Sequence, residues 1–172
     1  MARLQTVIVE QDDHFRDRLG DRRLRKDGTG DTVEVFRLCR ELGTMRLAIT
    51  DRVTRLATLR LAQFVPVRRA AVPADDSMAF EIVSDHVPGA RLSDMLEAAD
   101  AGRVVVSTEA AIHVVRQLLG ALAALHESRA VTHGAIAPER LIVTPRGHLF
   151  VADCALGLAL ERLNYSRAKL WR

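Results

Sequence analysis

A chain of 172 residues with 48% apolar and 27% charged side chains is long enough to bury a core and too apolar to stay disordered. A formal net charge of +3 gives little reason to expect a polyanion-binding protein, and two cysteines without CxxC spacing exclude a cysteine-based zinc site. The longest apolar run, LLGALAAL at 118–125, is too short to span a bilayer, and the N-terminus lacks the cationic-then-apolar pattern of a secretory signal, so a reducing cytoplasm is the expected setting.

With only 4% aromatics, the core has to be built from Leu, Val, Ala and Ile. In chain order, TVIV (Thr6 to Val9) is a β-branched run expected to form a strand. RDRLGDRRLRK (Arg16 to Lys26) is read as a solvated basic surface because Asp17 and Asp21 interrupt it; a nucleic-acid patch is the alternative. DGTGDTVEVFRL places a Gly-rich turn before a strand over Val33 to Leu38. Ile49, Val53, Leu56 and Leu59 recur at steps of three and four, which predicts a helix from Met45 to Leu61. FVPV (64–67) and FEIV (80–83) read as two further strands, separated by the polar turn PADDS.

After VPGARL (Val87 to Leu92) the pattern becomes helical. A short helix is predicted over Leu92 to Ala99. Ser107 or Thr108 is placed to cap a long helix whose Ile112, Val115, Leu118, Leu122 and Leu125 form a face meant for the core, with His113, Arg116 and Gln117 away from it. Two strands, Leu141 to Val143 and Leu149 to Ala152, are joined by TPRGH, where Pro145 and Gly147 supply the turn. Cys39 is expected to act as a small buried hydrophobe.

The stretch from 131 to 157, VTHGAIAPERLIVTPRGHLFVADCALG, resembles the catalytic segment of the protein kinases, which reads H-R-D-x-K-P-x-N, then a hairpin, then D-F-G. Here the loop is His133-Gly134-Ala135-Ile136-Ala137-Pro138-Glu139-Arg140, and the hairpin ends in Asp153-Cys154-Ala155, 20 residues after His133. Upstream, Asp85, Gly89 and Leu92 match the family's segment between its lobes, RLATLRLAQFVPV resembles the end of the N-lobe helix with its next strand, and DGTGDTVEVF resembles the strand that carries V-A-I-K. The resemblance covers roughly residues 20–160 and implies an α+β fold. Residues 1–87 would be a small β-rich N-lobe with one helix, and 88–172 a truncated helical C-lobe carrying a short β-hairpin.

In that family a Lys paired to a Glu holds phosphates, an Asp and an Asn hold Mg²⁺, and a second Asp accepts the hydroxyl proton. Carried over by position, the Lys is Phe36, the Glu is Arg52, the proton acceptor is Ala135, its neighbouring Lys is Ala137 and the Asn is Arg140. A one- or two-residue slip would bring Arg37 and Asp51 into play instead. No phosphate loop is visible, since Gly20 stands alone and Gly28 and Gly30 suit a hairpin. Asp153 is retained, as a metal ligand by resemblance or as a structural acceptor without its partner ligand. Arg140 is expected to take the vacated metal space and pair with Asp153, and His133 to bond backbone rather than catalyse. Cys154-Ala155 in place of Phe-Gly removes a φ > 0 hinge.

Ser84, Asp85, His86 and Val87 line the expected adenine side, so Asp85, Val87 and Asp153 are the candidate nucleotide contacts and Asp153 the candidate metal contact. The family continues through further helices after an A-P-E motif. The resemblance therefore implies a fragment or a shortened form with an uncovered apolar face near its C-terminal end, where Leu170 and Trp171 lie.

The expectation is a catalytically inactive pseudokinase-type module of bacterial, cytoplasmic signalling that binds a protein partner or itself through that face. It needs no cofactor, touches no membrane and is not expected to bind nucleic acid. The alternatives are a divergent Ser/Thr kinase that binds ATP with Mg²⁺, and a basic nucleic-acid-binding module.

Overall fold

The computed structural model describes residues 14–58, 61–73, 79–129 and 132–163. TVIV, Leu59, the ADDS of PADDS, Leu170 and Trp171 lie outside them. The first described element is a hairpin of β1 (His14–Asp17) and β2 (Gly20–Lys26). Its turn closes because Asp17 Oδ1 accepts from the backbone N–H of Leu19 at 2.7 Å and of Gly20 at 3.1 Å. Gly20 has φ +148°, and a Cβ there would stand 2.0 Å from the carbonyl oxygen of Arg37, so only glycine lets the hairpin lie against the next strand.

That strand, β3 (Thr32–Leu38), follows a turn in which Asp27 Oδ1 accepts from the backbone of Thr29 and Asp31 and Gly30 adopts φ +87°. With β4 (Val67–Ala71) and β5 (Glu81–Asp85) it completes an antiparallel sheet ordered β1-β2-β3-β5-β4. A short helix α1 (Arg40–Gly43) leads into α2 (Arg46–Ala57), the helix predicted to run on to Leu61 but ending at Ala57, which lays Ile49 and Val53 on the sheet face that carries Phe36 and Ile82. Alternation sends Val33 and Val35 to the other face, where they pack with Val83.

The predicted strand at FVPV starts later than expected. Pro66 has no N–H to give a ladder, and β4 begins at Val67. The preceding residues cross instead to the second sheet: Val65 N–H donates to Val151 O at 3.0 Å, and Val151 N–H to Gln63 O at 2.8 Å.

The second sheet is β6 (Ala90–Arg91), β7 (Leu141–Val143) and β8 (Leu149–Val151), in that order. Helix α3 (Leu92–Asp100) follows β6 directly, and α4 (Thr108–Arg129) begins with Ser107 Oγ accepting from Ala110 N–H at 3.2 Å, the predicted cap. A 3-10 turn, Pro138–Arg140, precedes β7, and α5 (Gly157–Arg162) follows Asp153-Cys154-Ala155.

The face predicted for α4 is only half right. Of the predicted five, Leu125 is buried and Leu118 and Leu122 are half-buried, whereas Ile112 and Val115 are 45% and 53% exposed; Ala121, outside the prediction, is buried with Leu118 against β7 and β8, and Leu119 is 61% exposed. Gln117, expected away from the core, faces the hairpin: its Nε2 donates to Gly147 O at 2.9 Å and its Oε1 accepts from Leu149 N–H at 3.0 Å. The helix is turned so that Gln117 satisfies backbone groups at the β7–β8 turn, and this carries Ile112 and Val115 out of the contact.

The main core runs from the first sheet through α2 to α5. Phe36, Ile49, Leu156 and Leu160 belong to one buried cluster, together with Leu19 from the β1–β2 turn and Ala135 from the loop before the 3-10 turn.

Candidate functional site

The two sheets meet across a cleft whose walls are β2 and β3 on one side and β6, the 3-10 turn and Asp153 on the other. Directly opposed residues of antiparallel strands share a face, so the pairs Arg22–Phe36 and Leu24–Glu34 direct all four side chains inward. The predicted solvated basic run is therefore broken at Arg22, which is 2% exposed. Strand alternation puts Gly20, Arg22 and Leu24 on one face and leaves Arg23 and Arg25 outside, and this was the signal in the sequence that could have found it.

Arg22 is the hub of the cleft. Its Nη1 and Nη2 hold both oxygens of Asp153, at 3.2 and 2.5 Å, a two-pronged pairing. Nη1 also donates to Glu34 at 2.8 Å, and the guanidinium carbon lies 3.5 Å from the centroid of the Phe36 ring. Phe36 thus stands where the resemblance requires a phosphate-holding Lys and serves as a platform for an arginine. Glu34 accepts a second arginine, Arg91 Nη2, at 2.5 Å, and Arg91 also donates to the carbonyl of Glu139 at 2.6 Å.

Arg140 behaves as its position suggested. It is 2% exposed, its Nε lies 3.5 Å from Asp153 Oδ2, and its Nη2 donates to Asp17 at 3.3 Å. Burial opposes the Asp153 charge, but Arg22 first and Arg140 second outweigh it and hold the carboxyl below its ordinary range. The same carboxylates, Asp153 ahead of Glu34, overcome burial at Arg22 and strengthen its hold on its proton. Asp153 sits at φ +62°, a left-handed conformation that Asp tolerates better than most residues.

Arg52, at the helix Glu position, makes no charge pair among the described residues. Its Nε donates to Cys154 O at 2.7 Å and its Nη2 to Thr132 O, pinning α2 to both loops that flank Asp153. The slipped alternative fails, because Arg37 pairs with Glu81 at 3.0 Å on the outer face and Asp51 pairs with Arg55 at 2.8 Å on the surface of α2. Ala135 is buried in the main core.

His133 is 2% exposed and takes the backbone role expected of it. Its Nε2–H donates to Ala152 O at 2.8 Å, which fixes the tautomer and lets Nδ1 accept from Ala135 N–H at 3.2 Å. Burial lowers its pKa to about 4. Burial likewise pushes the Cys154 thiol up, the reverse of a reactive cysteine. Cys39 is half-buried.

Of the candidate nucleotide contacts, only Asp153 lies in this charge cluster. Asp85 is held by Arg68 at 2.5 Å, where a bulge in β4 turns Arg68 toward it, and its backbone N–H is taken by Pro66 O at 2.9 Å. Val87 packs half-buried beside Val65, Ile142 and Ala152.

As for a divalent cation at Asp153, the donor set does not fit. Two guanidinium groups crowd the carboxylate, and no cluster of three or more metal-type ligands occurs among the described residues. Where a phosphate loop would cover a triphosphate, the β1–β2 turn is short and inserts Leu19 into the core. A cavity of about 220 Å³ remains between the first hairpin, α3 and the 3-10 turn, lined by both signs of charge, including Arg16, Asp94, Glu97 and Glu139. It is smaller than the roughly 300–1,000 Å³ typical of small-molecule sites.

No protein-family model matches the chain. No curated protein matches it either. Solved structures do. The kinase domain of the sucrose-induced receptor kinase of maize, bound to AMP-PNP, superposes with a TM-score of 0.69 at 16% identity over 87% of this chain and 55% of that one. The PknI kinase domain of Mycobacterium tuberculosis superposes with a TM-score of 0.64 at 18% identity over 83% of this chain and 56% of that one, and a double mutant of it reaches 0.70 with the same identity and coverage. The chain spans a little over half the length of these kinase domains. The α+β fold expected from the sequence is present: this chain has a protein kinase-like fold.

Proposed function

We propose that the chain is a pseudokinase-type module, silent in phosphoryl transfer, which acts by binding protein. The observation that carries this reading is the occupation of Asp153 by Arg22 and Arg140. Phosphoryl transfer in this fold depends on cations neutralising phosphate charge, held by carboxylate and amide ligands, and on a positioned proton acceptor. At the corresponding places this chain has arginines that repel a metal ion, a buried Ala135 and a phenyl ring at Phe36. ATP and Mg²⁺ are therefore not its cofactors. The division into an N-lobe at 1–87 and a C-lobe at 88–172, and a cytoplasmic setting, belong to the same reading; among the described residues no helix is long and apolar enough to cross a membrane.

The stripe Ile112, Val115 and Leu119 supports the binding half of the proposal, because a contiguous exposed apolar face on a helix is a usual mark of a protein contact. The test of the silent half is incubation of the pure protein with γ-labelled ATP, Mg²⁺ or Mn²⁺ and general acceptor proteins. No label above background is expected. Transfer that disappears in Asp153→Asn would refute the proposal. For the binding half, sedimentation across a concentration series is expected to show association that Val115→Glu weakens.

A further inference from the structure

The charged side chains in the cleft form one continuous chain rather than separate pairs. Arg91 of β6 reaches Glu34 of β3 at 2.5 Å; Glu34 accepts from Arg22 of β2 at 2.8 Å; Arg22 reaches Asp153 at 2.5 Å. From Asp153 the chain continues through Arg140 at 3.5 Å to Asp17, in the first hairpin, at 3.3 Å. It thus passes between the two sheets three times: Arg91 to Glu34, Arg22 to Asp153, and Arg140 to Asp17. All six side chains are largely withdrawn from water.

We propose that this chain is a built-in latch that holds the cleft closed with no ligand in it, Arg22 and Arg140 bridging the sheets. The inference rests on the silent reading above and adds a conformational consequence to it. Buried ion pairs contribute little net stability, but breaking one strands a charge in a medium that cannot solvate it. Glu34, Arg22, Asp153 and Arg140 each serve two links, so opening one crossing weakens the hold on the charges that remain in the cleft. The crossings therefore act together to keep the sheets at one spacing. The latch is held by geometry and charge, so removing one crossing loosens it.

The test measures the distance between the sheets by paired spin labels on the full chain. One label is placed at Gly28, where a side chain meets nothing within 4 Å, and the other at exposed Arg103, with Cys39→Ser to prevent stray labelling. The expected result is a narrow distribution for the otherwise wild-type protein without nucleotide, unchanged by ATP and Mg²⁺. The distribution should broaden in Glu34→Gln/Asp153→Asn and, with one crossing removed, in Arg91→Gln, while far-ultraviolet circular dichroism stays the same. If the double variant loses its helical signal, Arg91→Gln decides. An unchanged distribution in a folded Arg91→Gln overturns the latch. A wild-type distribution that is broad alone and narrows with ATP and Mg²⁺ overturns the latch and the silent reading together. One that is narrow throughout, in a protein that nevertheless transfers phosphate, overturns only the silent reading.

Discussion

Asp153 is the residue on which the account turns. Its carboxylate accepts two prongs from Arg22 and lies beside Arg140, so removing its charge leaves two buried guanidinium groups each with one carboxylate fewer, Glu34 and Asp17 being the nearest that remain. Asp153→Asn is expected to destabilise the chain by about 3–5 kcal/mol in urea unfolding, the usual cost of breaking a buried pair from one side. A loss under about 1 kcal/mol, typical of an exposed pair, would contradict the burial described here. His133 makes a second prediction. Its folded pKa of about 4 lies below the ordinary 6.5, so the unfolded chain binds the extra proton first as pH falls. The stability it contributes is complete above pH 6.5 and is lost as pH falls toward 4, a term of about 3 kcal/mol at roughly 1.4 kcal/mol per unit. His133→Gln, which lacks the titration, is expected to flatten the stability profile over that window. A wild-type profile with no slope there would remove the case for a buried neutral imidazole. The position of Arg140 beside Asp153 was legible because both fall on motif positions whose spacing is fixed. Arg22 was not, because a run of arginines looks solvated until strand alternation decides which of them points inward.

At the scale of elements, two contacts hold the loops that present Asp153. One is Arg52, which ties α2 to the carbonyls of Thr132 and Cys154. The other is the meeting of two glycines: a Cβ on Gly157 would stand 1.9 Å from His133 O, and one on Gly134 would stand 2.8 Å from the Cα of Gly157. Gly157→Ala therefore forces backbone apart at the start of α5 and is expected to cost about 1–3 kcal/mol by denaturant midpoint, whereas Gly120→Ala, with open space around it on α4, should not destabilise. Equal effects of the two would contradict the packing. Helix periods were legible in the sequence, as α2 and α4 show. The orientation of α4 was not, since a stripe of five apolar residues is wider than the contact it makes, and Gln117 bonding at the β7–β8 turn decides which flank is buried.

At the scale of the molecule, the order of elements was legible because the kinase-like motifs, each weak alone, fall in one sequence of strands, helix, connector, long helix and hairpin. What fills the cleft was not, because it depends on Arg22 and Arg140, from segments far apart in the sequence, meeting at one carboxylate. The central claim is that this protein's own arginines hold the place of a cation and its nucleotide. The most direct measurement is the melting temperature of the full chain with and without ATP and Mg²⁺ at millimolar concentration. No shift is predicted. A saturable rise of roughly 5–10 °C, the counterpart of about 2.7 kcal/mol at 100 times Kd for a chain of this size, would contradict it.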